Sequence, residues 1–150
     1  MSVTVCWDEA TEQPPSRRAA LASMRAVDAG DKDAWLALFA PDAVVEDPVG
    51  PSGFDPEGKG HRGPDGLAAF WDTAIASVER FEFVVHDSHA AGDEVANVAT
   101  ITTHLPVGYR VDTDLVAVYR VDEAGQLLSM RAFWEVERAM ATARQESRQE

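Results

Sequence analysis

Two adjacent carboxylates, Glu46 and Asp47, lie inside VVEDPVG at positions 44–50. Val44 and Val45 favour a strand, and Pro48 cannot donate to a sheet ladder, so the strand stops there. Side chains alternate between faces along a strand, which sends Asp47 inward with Val45 and leaves Glu46 in solvent. An inward carboxylate here has two readings. It caps the loop that follows, or it is a proton acceptor whose basicity an apolar cleft raises. The histidines at 61, 86, 89 and 104 lack metal-ligand spacing, and neither HExxH nor paired cysteines occur, so no metal or cofactor is expected. The single cysteine, Cys6, has no internal partner and suits a reducing cytoplasm.

These groups need a scaffold, and 150 residues suffice for one domain with a real core. The boundaries expected are a flexible segment over 1–15, the domain over 16–138 and a polar tail over 139–150. With 26 acidic and 13 basic residues the net charge of −13 opposes phosphate backbones and anionic membrane surfaces, which argues against nucleic acid or membrane partners. No signal-peptide pattern or bilayer-length apolar run is present, so a soluble protein is expected. Cys6 and Trp7, in the lead-in, read as a tail residue and an aromatic docked on the domain.

Ala20, Leu21, Met24 and Val27 recur at helical spacing after a Ser16 cap and before Gly30, predicting a helix over Ser16–Ala29. Asp31 caps a second helix through Trp35, Leu38 and Phe39, which Pro41 closes. The Gly- and Pro-rich stretch 48–63 reads as a long loop beside the end of the Asp47 strand. Pro64 then starts a third helix with Leu67, Phe70, Trp71, Ala74 and Val78 on one face. Four β-type runs follow, Phe81–His86, Val95–Leu105, Tyr109–Val121 and Gln126–Val136, with short turns between them. Helices first and strands afterwards imply an α+β domain, three helices packed on one face of a curved antiparallel sheet. The strands are apolar on both faces, which predicts a homodimer through the outer one.

The segments VDAGDKDAWLALFAPDAVVEDPVG, HRGPDGLAAFW and VYRVDEAGQLLSMRAFW, in this order and spacing, resemble the Δ5-3-ketosteroid isomerase family of the nuclear-transport-factor-2-like (SnoaL-like) superfamily. The longer loop around Pro51–Lys59 resembles that of actinobacterial isomerase-like proteins. The resemblance implies a cone-shaped fold with an apolar pocket. It also implies Asp47 as the general base that takes a proton beside a ketone and returns it two carbons along. Related patterns occur in polyketide cyclases of the same fold, so it specifies fold better than reaction.

Carried over position by position, the family's two oxyanion donors fall on Ser23 and Ala117, and neither donor is present. The supporting aromatic hydroxyls fall on Phe39 and Trp71, which have none; the tryptophan of the last strand is kept as Trp134. The pocket face is then expected to comprise Ser23, Phe39, Phe70 and Trp71 from the helical half. One strand would add Val98, Thr100, Thr102 and His104, the next Leu115, Ala117 and Tyr119, and the last Met130, Ala132 and Trp134. Tyr119 ranks first and His104 second as replacement donors, with Trp134 and Ser23 behind them. Three functions fit: an isomerase acting on a steroid-like apolar ketone, a non-catalytic binding protein for such a molecule, and a polyketide cyclase using the same aspartate.

Overall fold

Pro14 and Pro15 fix the backbone for the first helix of the computed structural model, which describes residues 2–146. That helix, α1, spans Pro15–Asp28. Pro14 occupies the N-cap, and Ser16, expected there, is instead buried with its hydroxyl unpaired, because the prolines alone set the entry angle. α2 (Lys32–Ala37) is capped as expected, with the Ala34 N–H donating to Asp31 Oδ1 at 3.0 Å. Pro41 does not end it. β2 already begins at Phe39 and runs to Glu46, longer than VVED alone, because Phe39 pairs with Leu127 across the sheet.

The loop that follows folds back on β2 and forms β3 (His61–Arg62). Asp55 organises it by accepting from the Gly60 N–H at 2.7 Å. Gly60, at φ +81°, lies so close that a Cβ would come within 2.8 Å of Val44 Cγ1. α3 (Gly63–Phe70) carries Pro64 in its first turn and continues as a π-helical stretch, Trp71–Ile75.

β4 (Arg80–Ala91), β5 (Glu94–Leu105), β6 (Tyr109–Val121) and β7 (Leu127–Phe133) form an antiparallel meander. With a first strand, β1, at Val3–Thr4, the main path of the sheet is β1-β4-β5-β6-β7-β2-β3. The sheet is mixed rather than purely antiparallel, since β2 joins β7 in parallel and β1 (Val3–Thr4) joins β4 in parallel. Register shifts in the β4–β5 and β6–β7 ladders supply local bends of the kind bulges give. One core joins the inner face to the helices through Ala20, Met24, Trp35, Leu67 and Phe70.

In the N-terminal segment, Val3, Val5 and Trp7 pack on the core beside β4, with Trp7 docked on the domain as expected. The tail forms α4 (Val136–Met140) and β8 (Arg144–Gln145), which extends the sheet beside β6; residues 147–150 of the expected polar tail lie outside the described residues. Among the described residues no helix is long and apolar enough to cross a membrane.

Candidate active site

Counting from the β5–β6 turn, Leu105 faces Tyr109, Ala99 faces Leu115 and Asn97 faces Ala117. The inward set of β6, Leu115, Ala117 and Tyr119, therefore selects Asn97, Ala99, Ile101, Thr103 and Leu105 as the inward set of β5. These side chains line a cavity between the sheet and the helices, with a main chamber of about 430 Å³ and a narrow inner chamber of about 30 Å³. The main chamber falls within the range of about 300–1,000 Å³ usual for small-molecule sites.

Asp47 borders both chambers. β2 delivers it beside the last strand, where Trp134 Nε1–H donates to Asp47 Oδ1 at 2.5 Å. Asp47 is half-buried, and apart from Asn97 and Tyr119 the other side chains lining the inner chamber are apolar. Loss of hydration pushes the carboxyl up to about 6, against a smaller lowering by the Trp134 bond. The peptide bond from Asp47 to Pro48 is cis. Glu46, on the opposite face, pairs with Arg131 at 3.1 Å.

Tyr119 also borders both chambers and is buried; its hydroxyl makes no hydrogen bond with the described residues. Burial, and secondarily the Asp47 charge, raise the phenol above its ordinary range, so it stays protonated and able to donate. Ser23 lines the main chamber and accepts from Trp35 Nε1–H at 3.2 Å, leaving its own hydroxyl proton available. Leu115, Met130, Phe70 and Trp134 line the main chamber, and Ala117 and Ala132 the inner one.

Six expected pocket residues lie elsewhere. Val98, Thr100, Thr102 and His104 are on the outer face, since the β5–β6 register reverses the assignment made for that strand. His104, 5% exposed, is enclosed there by carboxylates: its Nε2 is 2.6 Å from Glu82 and its Nδ1 2.9 Å from Glu146. It cannot serve as a donor beside Asp47. Phe39 and Trp71 pack behind the cavity on Trp35, at ring-centroid distances of 4.7 and 5.5 Å, because burying their rings there completes the core.

Sequence reasoning missed several lining groups. Asn97 and Ile101 follow from the turn register just described. Ser52, Gly53 and Phe54 place the long loop at the cavity, as its departure from Asp47 suggested, and Val136, Ala139 and Met140 of the tail close another side. A separate depression of about 620 Å³, between the N-terminal segment and α1–α2, contains none of these groups. Among the described residues no cluster of three His, Cys, Asp or Glu side chains is placed to hold a metal.

A cone of helices over a curved sheet, with a carboxylate at the edge of an apolar cavity, defines a small-molecule site of the nuclear-transport-factor-2-like class. The chain belongs to the SnoaL-like domain family, which matches residues 20–130. A steroid Delta-isomerase from Nocardioides simplex is 32% identical, over 73% of this chain and 80% of that one. The crystal structure of a Delta 5-3-ketosteroid isomerase from Mycobacterium sp. is 35% identical with a TM-score of 0.79, covering 88% of this chain and 98% of that one. RV0760c from Mycobacterium tuberculosis is 33% identical with a TM-score of 0.81, over 89% and 98% of the two chains. A second structure of RV0760c, in complex with estradiol-17beta-hemisuccinate, has a TM-score of 0.78 at 33% identity, over 88% and 99% of the two chains.

Proposed function

We propose that this protein isomerises an apolar, steroid-like ketone by intramolecular proton transfer, with Asp47 as the base. The observation that carries this reading is the Asp47 carboxyl, dehydrated at the border of the cavity, raised to about 6 and oriented by Trp134. At neutral pH it is largely ionised yet basic enough to accept a proton from carbon. Trp134 occupies Oδ1, so Oδ2 receives the proton. In a β,γ-unsaturated ketone the C–H bond beside the carbonyl breaks, its electron pair forms a carbon–carbon double bond, the carbonyl π pair moves onto oxygen, and a dienolate forms. The same proton is then delivered two carbons along, which restores the ketone and the carboxylate with no external reactant. The isomerase relatives support this reaction class.

Addition of 5-androstene-3,17-dione, followed by absorbance of the conjugated enone, tests it. We expect conversion by the wild type and a loss of about 10²- to 10⁴-fold in Asp47→Asn, the range of a general base. Equal rates for the two proteins would eliminate Asp47 from this role. A second reading, binding without turnover, draws on Ser23 and Ala117, which lack the donors the isomerase resemblance implies. Saturable binding of estradiol with no Asp47-dependent conversion would favour it.

A homodimer through the outer sheet face is also proposed. Val98, Val116 and Phe133 form one row across β5, β6 and β7 and are 40%, 37% and 44% exposed. Sedimentation should give a dimer for the wild type and a monomer for Val116→Asp, because a charge in such a row cannot be desolvated cheaply. A monomeric wild type would rule the interface out.

A further inference from the structure

Asn97 is 1% exposed and lines the inner chamber beside Tyr119 and Asp47. Half of its amide is accounted for. Ser88 Oγ–H donates to Asn97 Oδ1 at 2.6 Å, a separation suited to an O–H···O bond, and Ser88 Oγ accepts from Arg17 Nε at 2.9 Å. With Arg17 donating to one lone pair of the Ser88 hydroxyl, the hydroxyl proton goes to Asn97 Oδ1, and that bond turns the NH₂ away from Ser88. The Nδ2 has no hydrogen-bond partner among the described residues. A buried amide donor without an acceptor is unfavourable, which makes the chamber a place where an acceptor would be held.

The surroundings select that acceptor. Directly across from Asn97 on the same face is Ala117, and across from Ala117 is Ala132. The two methyl groups leave open the floor between Asn97 and the Asp47 side of the cavity. Tyr119 is the diagonal neighbour of Asn97 on β6, within side-chain reach. The chamber, about 30 Å³, admits an oxygen and not a ring, while the adjoining 430 Å³ is apolar and much larger.

We propose that the inner chamber is an oxygen subsite, in which Asn97 Nδ2–H and the Tyr119 phenol donate to the carbonyl oxygen of a flat apolar ketone lying in the main chamber. The proposal rests on the isomerase reading and specifies its ligand: an oxygen-first ketone, or a phenol that imitates the dienolate. The Asn97 amide is a neutral donor throughout the working pH range and transfers no proton; it stabilises the negative oxygen formed when Asp47 takes the carbon-bound proton. A donor on β5 thus serves the region that Ala117 leaves bare on β6.

The full chain, Asn97→Ala and Asn97→Leu are compared in turnover of 5-androstene-3,17-dione and in the infrared carbonyl stretch of bound 19-nortestosterone. Asn97→Leu keeps the side-chain shape without the donor, should the alanine variant fold poorly. We expect turnover to fall about 10²-fold, as for loss of one oxyanion donor. The bound carbonyl stretch, red-shifted in the wild type, should move back toward its free value, and the pH midpoint set by Asp47 should stay in place. Unchanged turnover and stretch in both variants, with only a lower melting temperature, would make Asn97 structural and overturn the proposal. A wild type that does not isomerise the dione but loses its carbonyl red shift in the Asn97 variants would sink the isomerase reading and keep the subsite. Failure of the wild type to bind 19-nortestosterone would remove both.

Discussion

The outward and inward faces of β5 and β6 treat their polar groups differently. Outside, Thr100 donates to Asp114 and Thr102 to Asp112, each at 2.7 Å, and His104 is held between Glu82 and Glu146. Inside, the Asn97 amide nitrogen is buried without a partner among the described residues, the Tyr119 hydroxyl makes no hydrogen bond with them, and Trp134 engages only one oxygen of Asp47. Paired polar groups tie neighbouring strands together; buried unpaired ones are tolerated where something else supplies the partner. The contrast separates groups that hold the sheet from groups available to a ligand.

The largest expected effect that could break this contrast is the loss of turnover in Asp47→Asn already described. Next is Tyr119→Phe, which removes a donor without altering the fold. We expect dione turnover to drop about 10²- to 10³-fold, and an unchanged rate would remove Tyr119 from the inner set. Turnover against pH sharpens the comparison further: kcat/KM should rise with pH and level off above about 6, as Asp47 ionises.

Stability should move in the opposite direction. The folded carboxyl, raised to about 6, binds its proton more tightly than the unfolded one at 3.8, so Asp47 favours the unfolded chain increasingly as pH rises through that window. Asp47→Asn should therefore stabilise the protein at pH 8 by on the order of 1–3 kcal/mol, a gain that vanishes below about pH 4. Equal denaturation midpoints at pH 8 would contradict the dehydrated carboxylate. The smallest effect belongs outside: His104→Leu should cost about 1 kcal/mol of stability through its lost hydrogen bonds and leave dione turnover unchanged. A fall in turnover would mean that the outer face reaches the site.

Much of this division was legible in the sequence. The α+β layout, the Asp31 cap and the inward Asp47 follow from element order, turn chemistry and alternation, whereas the inward Leu115, Ala117 and Tyr119 come from the family resemblance. β5 was misread because both of its faces mix apolar and polar residues, so Val98 and Thr100 looked as suitable for a pocket as Ala99 and Ile101. The decisive signal lay one strand away. Asp112 and Asp114 alternate with Leu115 and so point outward, and the short turn sets them beside Thr102 and Thr100. The parallel β2–β7 pairing was not legible, because no local pattern records which strand a distant segment will join.

That parallel seam gives the protein's folding an order. Asp47 and Trp134 are separated by 87 positions and meet only when β2 docks against β7. A closure of such span is late in assembly on topological grounds. The unfavourable dehydration of Asp47 is then incurred after the transition state, so Asp47→Asn should slow unfolding while leaving refolding nearly as fast as before. The carboxylate that gives the cavity its chemistry would also set how long the native state lasts.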